Sequence, residues 1–160
     1  MNSRILERLN AFSRESIEGT DEFRGDLTVT VRRADIVRVT TFLRDDSELS
    51  FDQIIDVIGV DMYRPEFRFE VVYVLYSIRN KKHLRLKVRL EEEHPVVPSV
   101  TGVWAGANWA EREAYDMVGI KFEGHPDLRR LYMPEEFEYH PLRKDFPLMG
   151  IPDSLPLPRR

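Results

Sequence analysis

Residues 67–90 read FRFEVVYVLYSIRNKKHLRLKVRL, and their alternation decides the kind of fold to expect. Phe67, Phe69, Val71, Tyr73 and Leu75 fall on one side of an extended chain, because successive side chains of a strand point to opposite faces. Leu84, Leu86, Val88 and Leu90 repeat the pattern, with Arg85, Lys87 and Arg89 on the other side. The intervening IRNKKH, residues 78–83, is turn material. The two runs therefore predict an antiparallel hairpin whose second strand has one dry and one wet face.

Outward from the hairpin, Ile5, Leu6, Leu9 and Phe12 lie at helical spacing and predict a short amphipathic helix that closes before the turn-like EGTDEFRGD, residues 18–26. Residues 27–31 alternate as a strand, and Ile36, Val39, Phe42 and Leu43 make the apolar face of a second helix. FDQIIDVIGVDM, residues 51–62, is strand-like but interrupted by Asp56 and Gly59, which predicts strand, turn and partial strand. The composition changes at HPVVPSVTG, residues 94–102, and six of the ten prolines lie at or beyond Pro134. Proline removes a backbone donor and restricts the residue before it, so this end should be extended and irregular. Such a segment cannot satisfy its own backbone; it lies along its own domain or docks on a partner. The expected fold class is α+β: a mainly antiparallel sheet with helices packed on one face over residues 1–122, and an extended proline-rich tail over 123–160.

With 160 residues and 42% hydrophobic content, the chain is long enough for one core-bearing domain. A net charge of -4 argues against a nucleic-acid footprint, which needs a concentrated basic surface. The absence of cysteine removes disulfides, thiolate nucleophiles and cysteine-ligated clusters or zinc. MNSRILERLNAFSRE, residues 1–15, contains no apolar core of a secretory signal. The longest apolar run, VVYVLYSI at 71–78, falls well short of the roughly 18 residues that span a bilayer. Work at a membrane would require another protein to hold this one there.

The residues with chemical potential crowd into 107–148, ANWAEREAYDMVGIKFEGHPDLRRLYMPEEFEYHPLRKDFPL. Asn108 and Glu111 have the spacing of a capping box, and Gly119 stands where a helix ends, which predicts a helix of about three turns. On it, Arg112 and Asp116 form an i,i+4 pair worth about 0.2–0.5 kcal/mol if exposed. Acid–base chemistry would use Glu111 or Glu113 with His125, but helix capping and surface ion pairs account for these acids. A metal would draw on His125, Asp127 and His140, whose spacing matches no familiar ligand pattern. His83, His94 and the acids Glu91–Glu93 read as strand ends and a solvated charge run. Gly102 and Gly106 match no phosphate-binding loop. The basic pairs Arg129–Arg130 and Arg143–Lys144 lack a basic surround and point to an acidic or carbonyl-rich protein partner. Trp104 and Trp109 serve either an interface core or closure of a loop against the sheet.

These residues also carry a resemblance. The run Glu111-Arg112-Glu113, Asp116, Met117-Val118, His125, Arg129 and Leu131-Tyr132 resembles the signature of the 30 kDa subunit family, the C-type subunits, of proton-pumping NADH-quinone oxidoreductase (respiratory complex I), and the likeness spans about residues 94–148. The resemblance implies a free-standing structural subunit of the peripheral arm with no active site of its own. It would brace the large quinone-site subunit (the D-type subunit) and the terminal iron-sulfur cluster subunit (the B-type subunit). NADH, FMN, iron-sulfur clusters and quinone would belong to partners, with no cofactor or metal on this chain. Trp104, Trp109, His125, Arg129, Arg130, Arg143 and Lys144 would form the partner interface, and the tail would wrap the quinone-site subunit. Its place would be the cytoplasmic side of the inner membrane in a bacterium, or the matrix or stromal side in an organelle. The equivalent subunit of a membrane-bound nickel-iron hydrogenase or a ferredoxin-quinone oxidoreductase is the alternative within the same ancestry.

Overall fold

The structure, a computed structural model, describes residues 1–151. In chain order its elements are α1 (Asn2–Ser13), β1 (Ile17–Phe23), β2 (Asp26–Val31), α2 (Ile36–Asp45), β3 (Gln53–Asp61), β4 (Phe69–Ser77), β5 (Lys82–Leu90), β6 (Val96–Pro98), α3 (Ala107–Val118) and β7 (Lys121–Glu123). Five strands make one sheet in the order β1-β2-β5-β4-β3. Its β2–β5 pair is parallel and the other pairs are antiparallel. β6 and β7 form a separate parallel ladder. The α+β class with a mainly antiparallel sheet is as expected.

The central hairpin sets the rest. β4 and β5 align Phe69 with Leu90, Val71 with Val88, Tyr73 with Leu86 and Leu75 with Leu84, and β2 adds Val29 beside Leu86. All of these side chains are buried and join Ile5 and Leu9 of α1, Ile36, Val39 and Leu43 of α2, and Ala114 and Val118 of α3 in one core. The three helices thus share one face of the sheet. Each such aliphatic or aromatic side chain contributes about 1.5–3 kcal/mol relative to an exposed one. On the opposite face, Val72 lies beside Lys87 and Val74 beside Arg85. There Glu70, itself buried, sits 3.4 Å from Lys87 and 3.6 Å from Arg89.

Two sequence expectations are corrected. EGTDEF is not a turn but β1, an edge strand joined to β2 by Arg24 and Gly25, both at positive φ, as a two-residue hairpin with right-handed twist requires. β1 exposes polar residues along most of its length, so no apolar alternation announces it. β3 is one nine-residue strand, not two pieces. Its register shifts between Ile54 and Asp56, and a bulge absorbs the polar interruption. Gly59 is where α3 presses closest: a Cβ there would lie 3.1 Å from Ile120 and 3.2 Å from Ala114.

Beyond β7 the described chain has no further helix or strand. This irregular stretch, residues 124–151, we call the strap; residues 152–160 of the expected tail lie outside the described residues.

Candidate functional site

The strap and α3 form one unit, and the acids and bases singled out in the sequence hold it together. α3 starts without a side-chain cap. Glu111 is therefore not a capping-box residue. Its completely buried carboxyl accepts the Val100 N–H at 2.7 Å and the Ser99 hydroxyl at 2.6 Å, tying the loop after β6 to the helix. Burial pushes its pKa up to about 7, against the lowering effect of those two hydrogen bonds. Tyr73, wholly buried, has its phenol pushed well above the usual range by burial and then by the Glu111 charge.

Arg112 and Asp116 do not form the expected i,i+4 pair, because each has a better partner on the strap. Arg112 donates from Nε to the Arg129 carbonyl and from Nη2 to the Arg130 carbonyl, both at 3.1 Å, and lies over the Trp109 ring at 4.9 Å. Asp116, fully buried, accepts three consecutive strap N–H groups on Oδ2: Leu131 at 2.9 Å, Tyr132 at 2.7 Å and Met133 at 2.9 Å. Arg130 closes the cradle on Oδ1 at 2.7 Å. Burial alone would raise the Asp116 pKa, but the three N–H groups and the guanidinium outweigh it and hold the carboxyl below its ordinary value.

A second fastening of the same kind lies at the other end of the strap. Asp61, also buried, accepts the Lys144 N–H at 2.9 Å and pairs with Arg68 at 3.1 Å. Arg68 in turn reaches Asp145 at 2.7 Å and Glu92. Burial pushes the Asp61 carboxyl up, but Arg68 and the Lys144 and Tyr63 N–H groups together hold it below its ordinary value.

Between these two points the strap terminates α3. A helix leaves its last carbonyls without intrahelical partners. Here the Asp116 carbonyl accepts His140 Nδ1–H at 2.9 Å, that of Met117 accepts the Leu142 N–H at 2.9 Å, and that of Val118 accepts Arg143 Nε–H at 2.6 Å. Gly119, at φ +83°, follows as the left-handed residue predicted there. A Cβ on it would overlap the His140 and Arg143 side chains. Burial holds His140 below the usual imidazole range, helped by Arg143 and Arg130 nearby.

The geometry offers little to an acid–base or metal reading. His125 accepts the Asp127 N–H on Nδ1 at 3.0 Å and donates Nε2–H to the Asn108 carbonyl at 3.1 Å, so both ring nitrogens are engaged as structural groups. Glu113 is exposed and takes the Tyr132 hydroxyl at 3.2 Å. Among the described residues no three acids or histidines converge as ligands.

Of the seven residues expected at a partner interface, Trp104 is buried, and His125, Arg130 and Arg143 make the contacts within the chain given above. Trp109, Arg129 and Lys144 face outward, Arg129 in company with Asp127 at 2.7 Å. Sequence reasoning missed the larger outward feature. Tyr132, Tyr139, Leu142, Leu148 and Met149 are all exposed, the last two almost completely; the backbone of the first three is held by the domain, and Leu148 and Met149 follow the last fastening at residues 144 and 145. Missed too was the aromatic cluster in which buried Phe137 and half-buried Phe146 back the exposed Tyr139, with centroids 5.6–6.5 Å apart. The signal available was the recurrence of single aromatic and aliphatic residues between prolines and acids.

The sequence profile of the family described as respiratory-chain NADH dehydrogenase, 30 Kd subunit, matches residues 29–152. The C-type subunit of NADH-quinone oxidoreductase from Roseiflexus sp. (strain RS-1) is 54% identical over 147 residues, covering 92% of this chain and 84% of that protein. Among solved structures, the trypsin-resistant fragment (1-134) of Nqo5 superposes with a TM-score of 0.68 at 34% identity, covering 80% of this chain and all of the fragment. A chain of the archaeal membrane-bound sulfane sulfur reductase shares the fold, with a TM-score of 0.72 at 22% identity over 92% of this chain and 86% of that one. Among the described residues no helix is long and apolar enough to cross a membrane.

Proposed function

The chain belongs to the 30 kDa subunit family of respiratory-chain NADH dehydrogenase, and from that membership we propose that it is a structural subunit of the peripheral arm of an NADH-quinone oxidoreductase. It braces the quinone-site and terminal iron-sulfur subunits on the cytoplasmic or matrix side, and the complex holds it at the membrane. Electron transfer from NADH to quinone runs through FMN, clusters and quinone held by those partners, and this chain contributes shape. One observation carries this reading: exposed large apolar side chains, Tyr132, Tyr139 and Leu142 on a backbone anchored to its own domain, with Leu148 and Met149 just beyond the last anchor. Exposed apolar residues on an ordered segment are the mark of a surface that meets another protein. Trp109, beside Arg112 and 64% exposed, adds an aromatic–arginine pair of the kind that dominates binding energy at interface centres.

Affinity purification of the full chain from its own cells, followed by mass identification of what accompanies it, tests the reading. We expect the quinone-site and iron-sulfur subunits together with flavin- and NADH-binding subunits. Recovery with a large subunit carrying a nickel-site cysteine pair would assign the chain to the hydrogenase alternative instead. Recovery as a free monomer would refute the role altogether.

A further inference from the structure

Two buried carboxylates hold the strap in the same way, and neither is needed to close the hydrophobic core. Asp116 takes the N–H groups of residues 131, 132 and 133 and is neutralised by Arg130; Asp61 takes that of residue 144 and is neutralised by Arg68. Tyr132, Tyr139 and Leu142, three of the exposed residues read above as a docking surface, lie between these clips or at their edge. Resting on that reading, we propose that Asp116 and Asp61 are positioning residues, which fix the strap in its docking shape before a partner arrives. The partner then meets a preformed ridge. A segment that orders only on contact gives up conformational freedom at that moment and binds more weakly for its area. Here that cost is met during folding, by charge-assisted hydrogen bonds to groups that no partner has to supply. The arrangement also fixes the kind of partner. Arg130 and Arg143 turn inward onto Asp116 and the Val118 carbonyl, so the ridge meets its neighbour through the exposed apolar residues and the exposed acids between them, Glu135, Glu136 and Glu138. The complementary surface is apolar where it meets Tyr132, Tyr139 and Leu142 and basic where it meets the three glutamates, not the acidic one that the basic pairs of the sequence suggest.

The test combines hydrogen exchange with association kinetics. On the full chain alone, the amides of residues 131–133 and 144 should be protected, and Asp116→Asn should reduce protection at 131–133 by about tenfold or more, the size expected for hydrogen bonds to a charged acceptor. Amides of β4 and β5 should keep theirs, which a general loosening of the domain would not allow. Association with immobilised partner subunits stripped of this chain should slow by about tenfold, with a smaller change in dissociation. Arg130→Met, a change on the strap itself, provides the same comparison if Asp116→Asn does not fold. Wild-type strap amides that exchange like unstructured chain would overturn the proposal. So would a variant that loses protection yet associates at the wild-type rate. If the wild-type chain does not bind those subunits at all, the docking reading fails, while the exchange result still judges the clips.

Discussion

At the scale of single residues, the positions that resemble catalytic groups are bonded into the fold and have unusual electrostatics. Glu111 is the clearest. Its folded pKa of about 7 lies above the ordinary 4.5, so between those values the folded state retains a proton that the unfolded chain has released. Stability therefore falls as pH rises through this window, by about 3 kcal/mol in total if both ends are reached. Glu111→Gln keeps an acceptor for Val100 and should flatten this slope, which thermal unfolding at about pH 5 and pH 8 would measure. Asp116 behaves oppositely. Its pKa is depressed, so its contribution is present above the ordinary carboxylate range and is lost as pH falls through the folded value. Gly119→Ala places a Cβ at positive φ against His140 and Arg143 and should cost about 1–3 kcal/mol, read as a lower denaturant midpoint with an unchanged slope.

At the scale of elements, the sequence was most legible where one face was dry and the other charged. β4 and β5 alternate because Val71, Tyr73, Leu84 and Leu86 meet the helices while Arg85 and Lys87 meet solvent. β1 was illegible because an edge strand with little burial needs no alternation. β3 was misread at Gly59, where the missing side chain reflects the approach of α3 rather than a turn. Gly59→Leu should accordingly cost about 1–3 kcal/mol of overpacking and shift the β3–α3 contact, observable as a lower melting temperature and altered near-ultraviolet dichroism. In α3 the local patterns were present but tertiary contacts prevailed. Asn108 and Glu111 have capping-box spacing, yet Glu111 ties down the loop; Arg112 and Asp116 have ion-pair spacing, yet both hold the strap. Single-chain periodicity contains no record of hydrogen bonds made to residues some fifteen positions away.

At the scale of the whole molecule, the proposed docking role divides the work between two sets of side chains, buried ones that fold the domain and exposed ones that would meet a partner. Substitutions that affect only the exposed set should leave the domain intact. Leu148→Asp combined with Met149→Asp should change the stability of the isolated chain by less than about 0.5 kcal/mol. It should nonetheless sharply lower the amount of chain recovered with partner subunits, as read by co-purification from cells. Equal loss of stability and recovery would mean that these residues serve the domain itself. The capping of α3 by the strap has a further consequence for the order of events during synthesis. The ribosome makes the helix some twenty residues before the groups that donate hydrogen bonds to its last carbonyls, on His140, Leu142 and Arg143. A nascent chain halted before them carries an unfinished helix, so the domain reaches its final form only once the strap has emerged. Released chains truncated before residue 140 should be cut within α3 by protease more readily than chains that include the strap, making completion of the strap and completion of the fold a single step.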